Sequence, residues 1–361
     1  MIFWGAMLIK KLMVIFWGSR KPTKCRDLSQ VKSVLLNPIG DAIGDAIVHG
    51  LHLRQLKSRY PNLKIGVLVT DRNKVVFEAS GLVDEFIQMT FINYCRQRKK
   101  WDLYLDFTPQ FTSRALMLDK ILAPQRVMIF SKAAKKYYSL DNIHNYDFYQ
   151  PISPNTHLKD YLMHSDFAPE LSGQAPEVYQ LNLAEEVKQK AEKLWESDKV
   201  RILICPQGSS VKRLSPEECG RILQHIHVQS WGQIDIQLGY SAMNEEYLVG
   251  LKQFSSLPNV RASERTTVEQ YLALVNSSDI VLAVDSGGVH VACALRKPLL
   301  AFYANFPSNI GKWGPYSQNM NQVEMLVGQS VASSADDTYG FDIEKAGKWL
   351  NQQIEQKLAL M

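Results

Sequence analysis

The sequence predicts an α/β protein of two successive halves, each a parallel sheet with helices on both faces. Three observations predict it. Short β-branched and aliphatic runs alternate with stretches of helical periodicity, the pattern of strand–helix–strand units. That alternation occurs twice, and between about Asp141 and Glu177 it gives way to a stretch rich in His, Asn, Pro, Tyr and Asp. The chain has 361 residues, about 2.4 times a typical domain, which suits two domains better than one or three. We expect an arm over residues 1–30, a Rossmann-like domain over 31–175, a second over 176–340 and a terminal helix over 341–361.

The first eighteen residues, MIFWGAMLIKKLMVIFWG, are very apolar, yet Lys10-Lys11 splits them into blocks too short to span a bilayer. They lack the basic start and the small-residue cleavage site of a signal peptide. Phe3, Trp4, Phe16 and Trp17 beside lysines suit a segment lying in a membrane interface. An arm packed on the body, or an upstream start-codon artefact, would read the same way. Ser33–Asn37 (SVLLN) is the first strand, followed by a Gly-rich turn and an amphipathic helix through about Tyr60. Lys64–Thr70, Asp102–Phe107 and Val127–Phe130 are further strands. After the change of texture comes a helix from Leu183 to about Ser197. The second series of strands is Arg201–Cys205, Ile234–Leu238, Val260–Ala262, Ile280–Val284 and Leu299–Tyr303. Asp342–Leu358 closes the chain as an amphipathic helix, with Ile343, Ala346, Trp349, Leu350 and Ile354 on one stripe.

Composition excludes several classes. Hydrophobic residues are 46% and charged residues 21%, as in an ordinary globular chain rather than a disordered or collagen-like one. The net charge of +5 is concentrated at the start: the first 26 residues carry six cations and no acid, so the remaining 335 sum to −1. A nucleic-acid-coating protein would spread its basic excess over the folded body, so no nucleic-acid partner is expected. Five cysteines, with no CxxC pair, fit neither a disulfide framework nor a metal site and suit a reducing cytoplasm.

Two such halves place ligands at the carboxyl ends of their strands. Three motifs fall there. The first is Asn37-Pro-Ile-Gly-Asp-Ala-Ile-Gly-Asp-Ala, a strand end running into a helix. Gly40 and Gly44 allow close backbone approach, and the helix start brings free N–H groups. Asp41 and Asp45 stand one turn apart and share a face if the helix has begun by Asp41. A capping carboxylate is the ordinary reading of Asp41; Asp45 is well placed as a general base for a sugar hydroxyl. The second motif runs from Cys205 to Glu218. A strand ends in a Gly/Ser loop carrying Ser209, Ser210, Lys212 and Arg213, a seat for a diphosphate or simply a solvated basic turn. Ser215-Pro216-Glu217-Glu218 has the form of a helix start. The third motif is Asp285-Ser286-Gly287-Gly288-Val289-His290, a buried strand entering a small-residue helix whose first amides suit phosphate. His290 faces either ligand or core.

These motifs together resemble glycosyltransferase family 9, the lipopolysaccharide heptosyltransferases, from about Val34 to about Pro315. Gly44-Asp45 with Arg54-Gln55-Leu56-Lys57 has the spacing of the family's G-D pair and R-x-L-K pattern. Lys212-Arg213-Leu214-Ser215-Pro216-Glu217 corresponds to its K-[RH]-W-P-x-E element, and Asp285–Ala292 to D-[ST]-G-x-x-H-[LV]-A. Trp313-Gly314-Pro315 matches the usual close of the donor site. The chain departs at Leu214, where the family has Trp, and at Pro216, one place late. The resemblance implies an inverting transferase of the GT-B type, two Rossmann-like domains facing a cleft, with ADP-heptose as donor in the C-terminal half. It implies Asp45 as base, Lys212, Asp285, Ser286, Gly287 and His290 as donor contacts, and an acid on the ribose, Glu245 or equally Glu246.

No Asp-x-Asp is placed to hold a metal, so metal-independent transfer without a cofactor is expected. Asp41, Arg98, Lys99, Arg114 and Lys132 are the candidate acceptor contacts. With the basic arm they suit a phosphorylated lipopolysaccharide core or Kdo-bearing lipid A at the inner membrane, and a cytoplasmic enzyme bound peripherally there. A nucleotide-sugar epimerase of the same architecture and a non-catalytic nucleotide-sugar binder are the competing readings.

Overall fold

The computed structural model describes residues 2–21, 23, 27–173, 178–196, 198–208, 211–254 and 260–361. Two units divide the chain, Met1–Glu177 and Val178–Met361.

In the first unit the strands are β1 (Ser33–Asn37), β2 (Lys64–Val69), β3 (Glu85–Gln88), β4 (Leu103–Asp106), β5 (Arg126–Phe130) and β6 (Phe148–Gln150). The helices are α1 (Ile2–Trp17), α2 (Ile43–Arg59), α3 (Asp71–Ser80), α4 (Phe91–Arg96), α5 (Ser113–Leu122) and α6 (Ala168–Leu171). The strands pair in parallel in the order β3-β2-β1-β4-β5-β6.

The second unit repeats the plan. Its strands are β7 (Val200–Cys205), β8 (Ile234–Leu238), β9 (Val260–Ala262), β10 (Ile280–Val284), β11 (Leu299–Asn305) and β12 (Val323–Val331), parallel in the order β12-β11-β10-β7-β8-β9. Its helices are α7 (Glu185–Glu192), α8 (Pro216–Gln224), α9 (Asn244–Phe254), α10 (Val268–Ser277), α11 (Gly287–Ala294), α12 (Pro307–Trp313) and α13 (Ile343–Leu358).

Helices on both faces bury the central strands completely, which is why SVLLN and IVLAV read as continuous apolar runs rather than alternating ones. In each unit the chain builds outward from its first strand, then returns to that strand's other side. The reversal falls between β1 and β4, and between β7 and β10. It sets the turn after β1 beside the turn after β4, and the loop after β7 beside the turn after β10. All three sequence motifs lie on those turns.

The sequence anticipates nine of these strands to within two residues at either end. It misses β3, β6 and β12. Two of these are short, at three and four residues, and β12 mixes Glu, Gln and Ser with its apolar residues. The texture change after Asp141 therefore contains a strand, followed by single turns at Leu158–Asp160 and Leu162–His164. Helix α7 starts two residues later than expected and ends at Glu192.

The arm is helical, and its second half is built into the first unit. Val14 and Trp17 pack on the core around Trp101, Tyr104 and Tyr138. Trp17 O accepts from Asn145 Nδ2 at 2.8 Å, and Gly18 O accepts from the His144 N–H at 2.6 Å. Arg20 pairs with Asp147 at 3.0 Å. No described helix is long and apolar enough to cross a membrane.

Candidate functional site

In the first unit the chain leaves β1 through Pro38-Ile39-Gly40. Asp45 is the third residue of α2, half-buried at the positive end of the helix. Its carboxylate packs against Gly40 so closely that a Cβ there would collide with Asp45 Oδ2. A side chain at Gly40 would therefore displace the carboxylate of Asp45, five residues further on. The N-cap is Ala42, without a side-chain bond, so Asp41 does not cap the helix. The helix begins after Asp41, so the condition for the two acids to share a helical face is not met. Asp41 is exposed instead and lines a pocket of about 270 Å³ with Asn37, Ile39, Thr70, Thr108 and Arg114. Arg114, in the first turn of α5, donates to Tyr94 Oη at 2.7 Å.

The pocket floor is a buried polar network. Asp106 Oδ1 accepts from Asn37 Nδ2 at 2.9 Å and from Thr108 Oγ1 at 2.7 Å. Lys132 Nζ pairs with Asp106 Oδ2 at 2.6 Å and donates to Thr108 O at 2.8 Å. The Lys132 side chain is 0% exposed. This corrects its assignment as an acceptor contact: every bond it makes is internal, and it neutralises Asp106. Nearby on α5, burial pushes the Asp119 carboxyl up to about 7, while Asn145 donates to its Oδ2 at 3.0 Å.

Arg98 and Lys99 lie away from this pocket. Arg98 Nη1 donates to the carbonyls of Lys120 and Ile121 at 3.0 and 3.2 Å, and the Lys99 N–H donates to Leu122 O at 2.7 Å. Both close the C-terminal end of α5, whereas the pocket lies at its N-terminal end. Lys99 adopts a left-handed conformation (φ 59°) in doing so.

In the second unit, the loop after β7 and the turn after β10 meet. Lys212 Nζ pairs with Asp285 Oδ2 at 2.6 Å, and Asn309 Nδ2 donates to the same oxygen at 2.7 Å. The Gly208 N–H donates to Lys212 O at 2.9 Å, and a Cβ at Gly208 would lie 2.8 Å from Asp285 O. Only a glycine permits that approach. Ser286 is the N-cap of α11, its hydroxyl accepting from the Gly288 N–H at 3.2 Å. A Cβ on Gly288 would lie 2.9 Å from Tyr271 Oη. Gly287 opens the same helix, so Lys212, Asp285, Ser286, Gly287 and Gly288 are brought together at one strand end. His290 is buried one turn on, edge-to-face with Trp313 at 6.1 Å. Ser209 and Ser210 lie outside the described residues.

The helix start at Ser215-Pro216 is as expected: the Ser215 hydroxyl accepts from the Glu218 N–H at 3.1 Å. Leu214, where the family pattern has Trp, is a core residue. Glu245 and Glu246 are both exposed in the first turn of α9. Glu246, not Glu245, lines a cleft of about 350 Å³ with Gln207, Arg213, Met243 and Tyr247.

Sequence reasoning did not single out Asn309, Gln207, Thr108 or Tyr94. Asn309 sits in the unremarkable run FPSNIGKWG, and only β11 brings it to Asp285. Gln207 was readable, since it directly precedes the glycine of the Lys212 loop.

Residues 97–339 match the family model of glycosyltransferase family 9 (heptosyltransferase), more than half of the chain. The chain is 25% identical over 322 residues to "Putative lipopolysaccharide heptosyltransferase 4" of Escherichia coli K12, covering 82% of each. The structure of E. coli ADP-heptose lipopolysaccharide heptosyltransferase II superposes over 90% of this chain and 99% of that one, with a TM-score of 0.68 at 18% identity. A glycosyl transferase family 9 structure from Veillonella parvula gives a TM-score of 0.71 at 15% identity, over 90% and 98%. The fold is therefore shared with solved members of that family.

Proposed function

Because the chain belongs to glycosyltransferase family 9, we propose that it transfers a heptose, with inversion, from ADP-heptose to a lipopolysaccharide inner-core acceptor. The observation that carries the reading is the cluster at the start of α11. There a lysine, helix amides and a capping serine face the strand ends, the donor set a leaving diphosphate requires. Ser209 and Ser210 belong to the same loop as Lys212, and His290 lies behind it. Asp285 and Asn309 hold the lysine in place, and Glu246 is the better-placed acid for a ribose. In the first unit Asp45 takes the proton of the acceptor hydroxyl. The oxygen attacks the anomeric carbon, and the carbon–oxygen bond to the diphosphate breaks with its electron pair leaving on the phosphate. Asp41 and Arg114 line the pocket that receives the acceptor.

The test separates the proposed base from the proposed donor contacts. Asp45→Asn is expected to slow transfer by about a hundredfold or more with ADP affinity unchanged. Lys212→Ala is expected to weaken ADP binding by about 10- to 150-fold, the worth of a charged hydrogen bond. Normal turnover by Asp45→Asn with loss in Asp41→Asn would move the base to Asp41. Calorimetry showing unchanged ADP affinity in Lys212→Ala would remove the lysine from the donor site.

The acceptor class brings a membrane surface with it, and we assign that contact to α1. Ile15 and Phe16 are 70% and 66% exposed, and Ile9 and Leu12 extend their stripe, while Lys10, Lys11, Lys135 and Lys136 are exposed around it. Apolar side chains flanked by cations suit the anionic cytoplasmic face of the inner membrane. Ile15→Glu with Phe16→Glu leaves Val14 and Trp17 packed, so it is a cleaner probe than deleting the arm. The wild type should pellet with phosphatidylglycerol vesicles at low salt and the double variant should not, with equal activity on a delipidated acceptor. A wild type that stays in the supernatant would overturn the assignment.

A further inference from the structure

Behind the turn that seats Asp45, two histidines of α2 form a hydrogen-bonded chain with a single proton arrangement. His49 and His52 are both completely buried. The Ile39 N–H donates to His49 Nε2 at 3.0 Å, so that nitrogen carries no proton. A neutral His49 then holds its proton on Nδ1, which lies 3.2 Å from His52 Nδ1. His52 Nε2 is 2.9 Å from Leu158 O, which can only accept, so His52 is protonated there and bare at Nδ1. These three bonds thus point one way, from Ile39 through His49 and His52 to Leu158. A proton added to either ring would set two N–H groups against each other. Burial holds His52 at about 4, which keeps that ring neutral. Phe107 fixes the ring planes, edge-on to His49 at 4.6 Å and stacked on His52 at 4.9 Å.

The far end of this chain is the residue next to Gly40, against which the Asp45 carboxylate packs. We infer that His49 and His52 are positioning residues for Asp45, holding the Ile39–Gly40 turn in the conformation that seats its carboxylate. The inference rests on the reading of Asp45 as the base. His49 acts through the Ile39 backbone and His52 through the His49 ring.

His49→Phe keeps the ring volume and the contact with Phe107 but removes both hydrogen bonds. His49→Gln offers a carbonyl to the Ile39 N–H and an amide N–H to His52. The Phe variant should lose about tenfold or more in kcat while its donor KM stays within about twofold, the signature of a displaced reacting group. The Gln variant should recover to within about threefold of the wild type, a rescue that volume alone cannot produce. Nitrogen-15 NMR of the imidazoles reads the geometry without any substrate: Nε2 of His49 and Nδ1 of His52 should be the unprotonated atoms. A Phe variant as fast as the wild type, or Phe and Gln variants equally slow, would overturn the positioning role. The opposite tautomers in an active enzyme would overturn the chain of bonds alone. The expected tautomers in a protein without transferase activity would overturn the proposed function, and the role for Asp45 with it.

Discussion

The strand ends of the second unit gather nearly every described residue that the sequence marked there, whereas those of the first unit gather few. Lys212 pairs with Asp285 at the strand end where Ser286, Gly287 and Gly288 open α11. Of the cations marked in the first unit, Arg114 lines the pocket, Lys132 lies beneath it, and Arg98 and Lys99 sit at the opposite end of α5. The difference lies in the kind of clue. Those of the second unit are backbone devices, a glycine after a strand and a serine before a helix, and such devices state where the chain is. The turn that carries Asp45 is such a device in the first unit too, but its cations were marked as clusters of charge, and charge alone does not say which end of a helix it occupies.

Replacing the cations one by one sharpens that comparison. The largest effect is expected from Lys132→Met, which leaves Asp106 charged and unpaired in the core. Denaturant unfolding should show a loss of about 3–5 kcal/mol, as for breaking a buried ion pair. Unchanged stability would return Lys132 to the candidates for ligand binding. Arg114→Ala should leave stability nearly intact and raise the acceptor KM by about tenfold, the low end of a charged hydrogen bond. Arg98→Ala and Lys99→Gly should stay within about 0.5 kcal/mol of the wild type and leave the acceptor KM alone. An acceptor defect in either variant would show that the pocket is not where the acceptor sits.

The floor of the first unit also has a pH signature. Asp119 keeps its proton in the folded state up to about pH 7, whereas an ordinary aspartate at 3.8 has lost it long before. Between those values the folded state binds more protons than the unfolded one, so stability falls as pH rises from about 4 to 7 and then levels. Asp119→Asn should flatten that slope, read by urea midpoints across the range. An equal slope in the variant would assign it to another group.

Most of the fold was legible because its signals are local. Completely buried strands such as IVLAV, the Ser215-Pro216 helix start and the Asp342 cap all act over a few residues. The strands β3, β6 and β12 were not, since edge positions of a parallel sheet require neither a long apolar run nor alternation. At the candidate site, Asp45 and the Asp285 turn were legible, each beside a glycine whose missing Cβ makes room for it, and Lys212 was legible from its place in the loop after β7. Asn309 was not, because 24 residues separate it from the aspartate it serves. The buried role of Lys132 was hidden for a related reason: its partner Asp106 lies on the neighbouring strand, beyond the reach of any sequence window.

The position of β1 and β7 in the middle of their sheets has a consequence for the order of events in folding. Each is the first strand of its unit to be made, and each pairs early on one side, with β2 or β8. Its other side waits for β4 or β10: the Asn37–Asp106 contact spans 69 residues and the Arg201–Asp279 contact 78. Loop-closure entropy grows only slowly with such lengths, so the delay costs little stability and a good deal of time. Until then SVLLN and VRILIC present an open apolar edge, the kind of edge that recruits other chains. A central, buried strand of each unit is therefore half-paired for as long as its last neighbour is still to come.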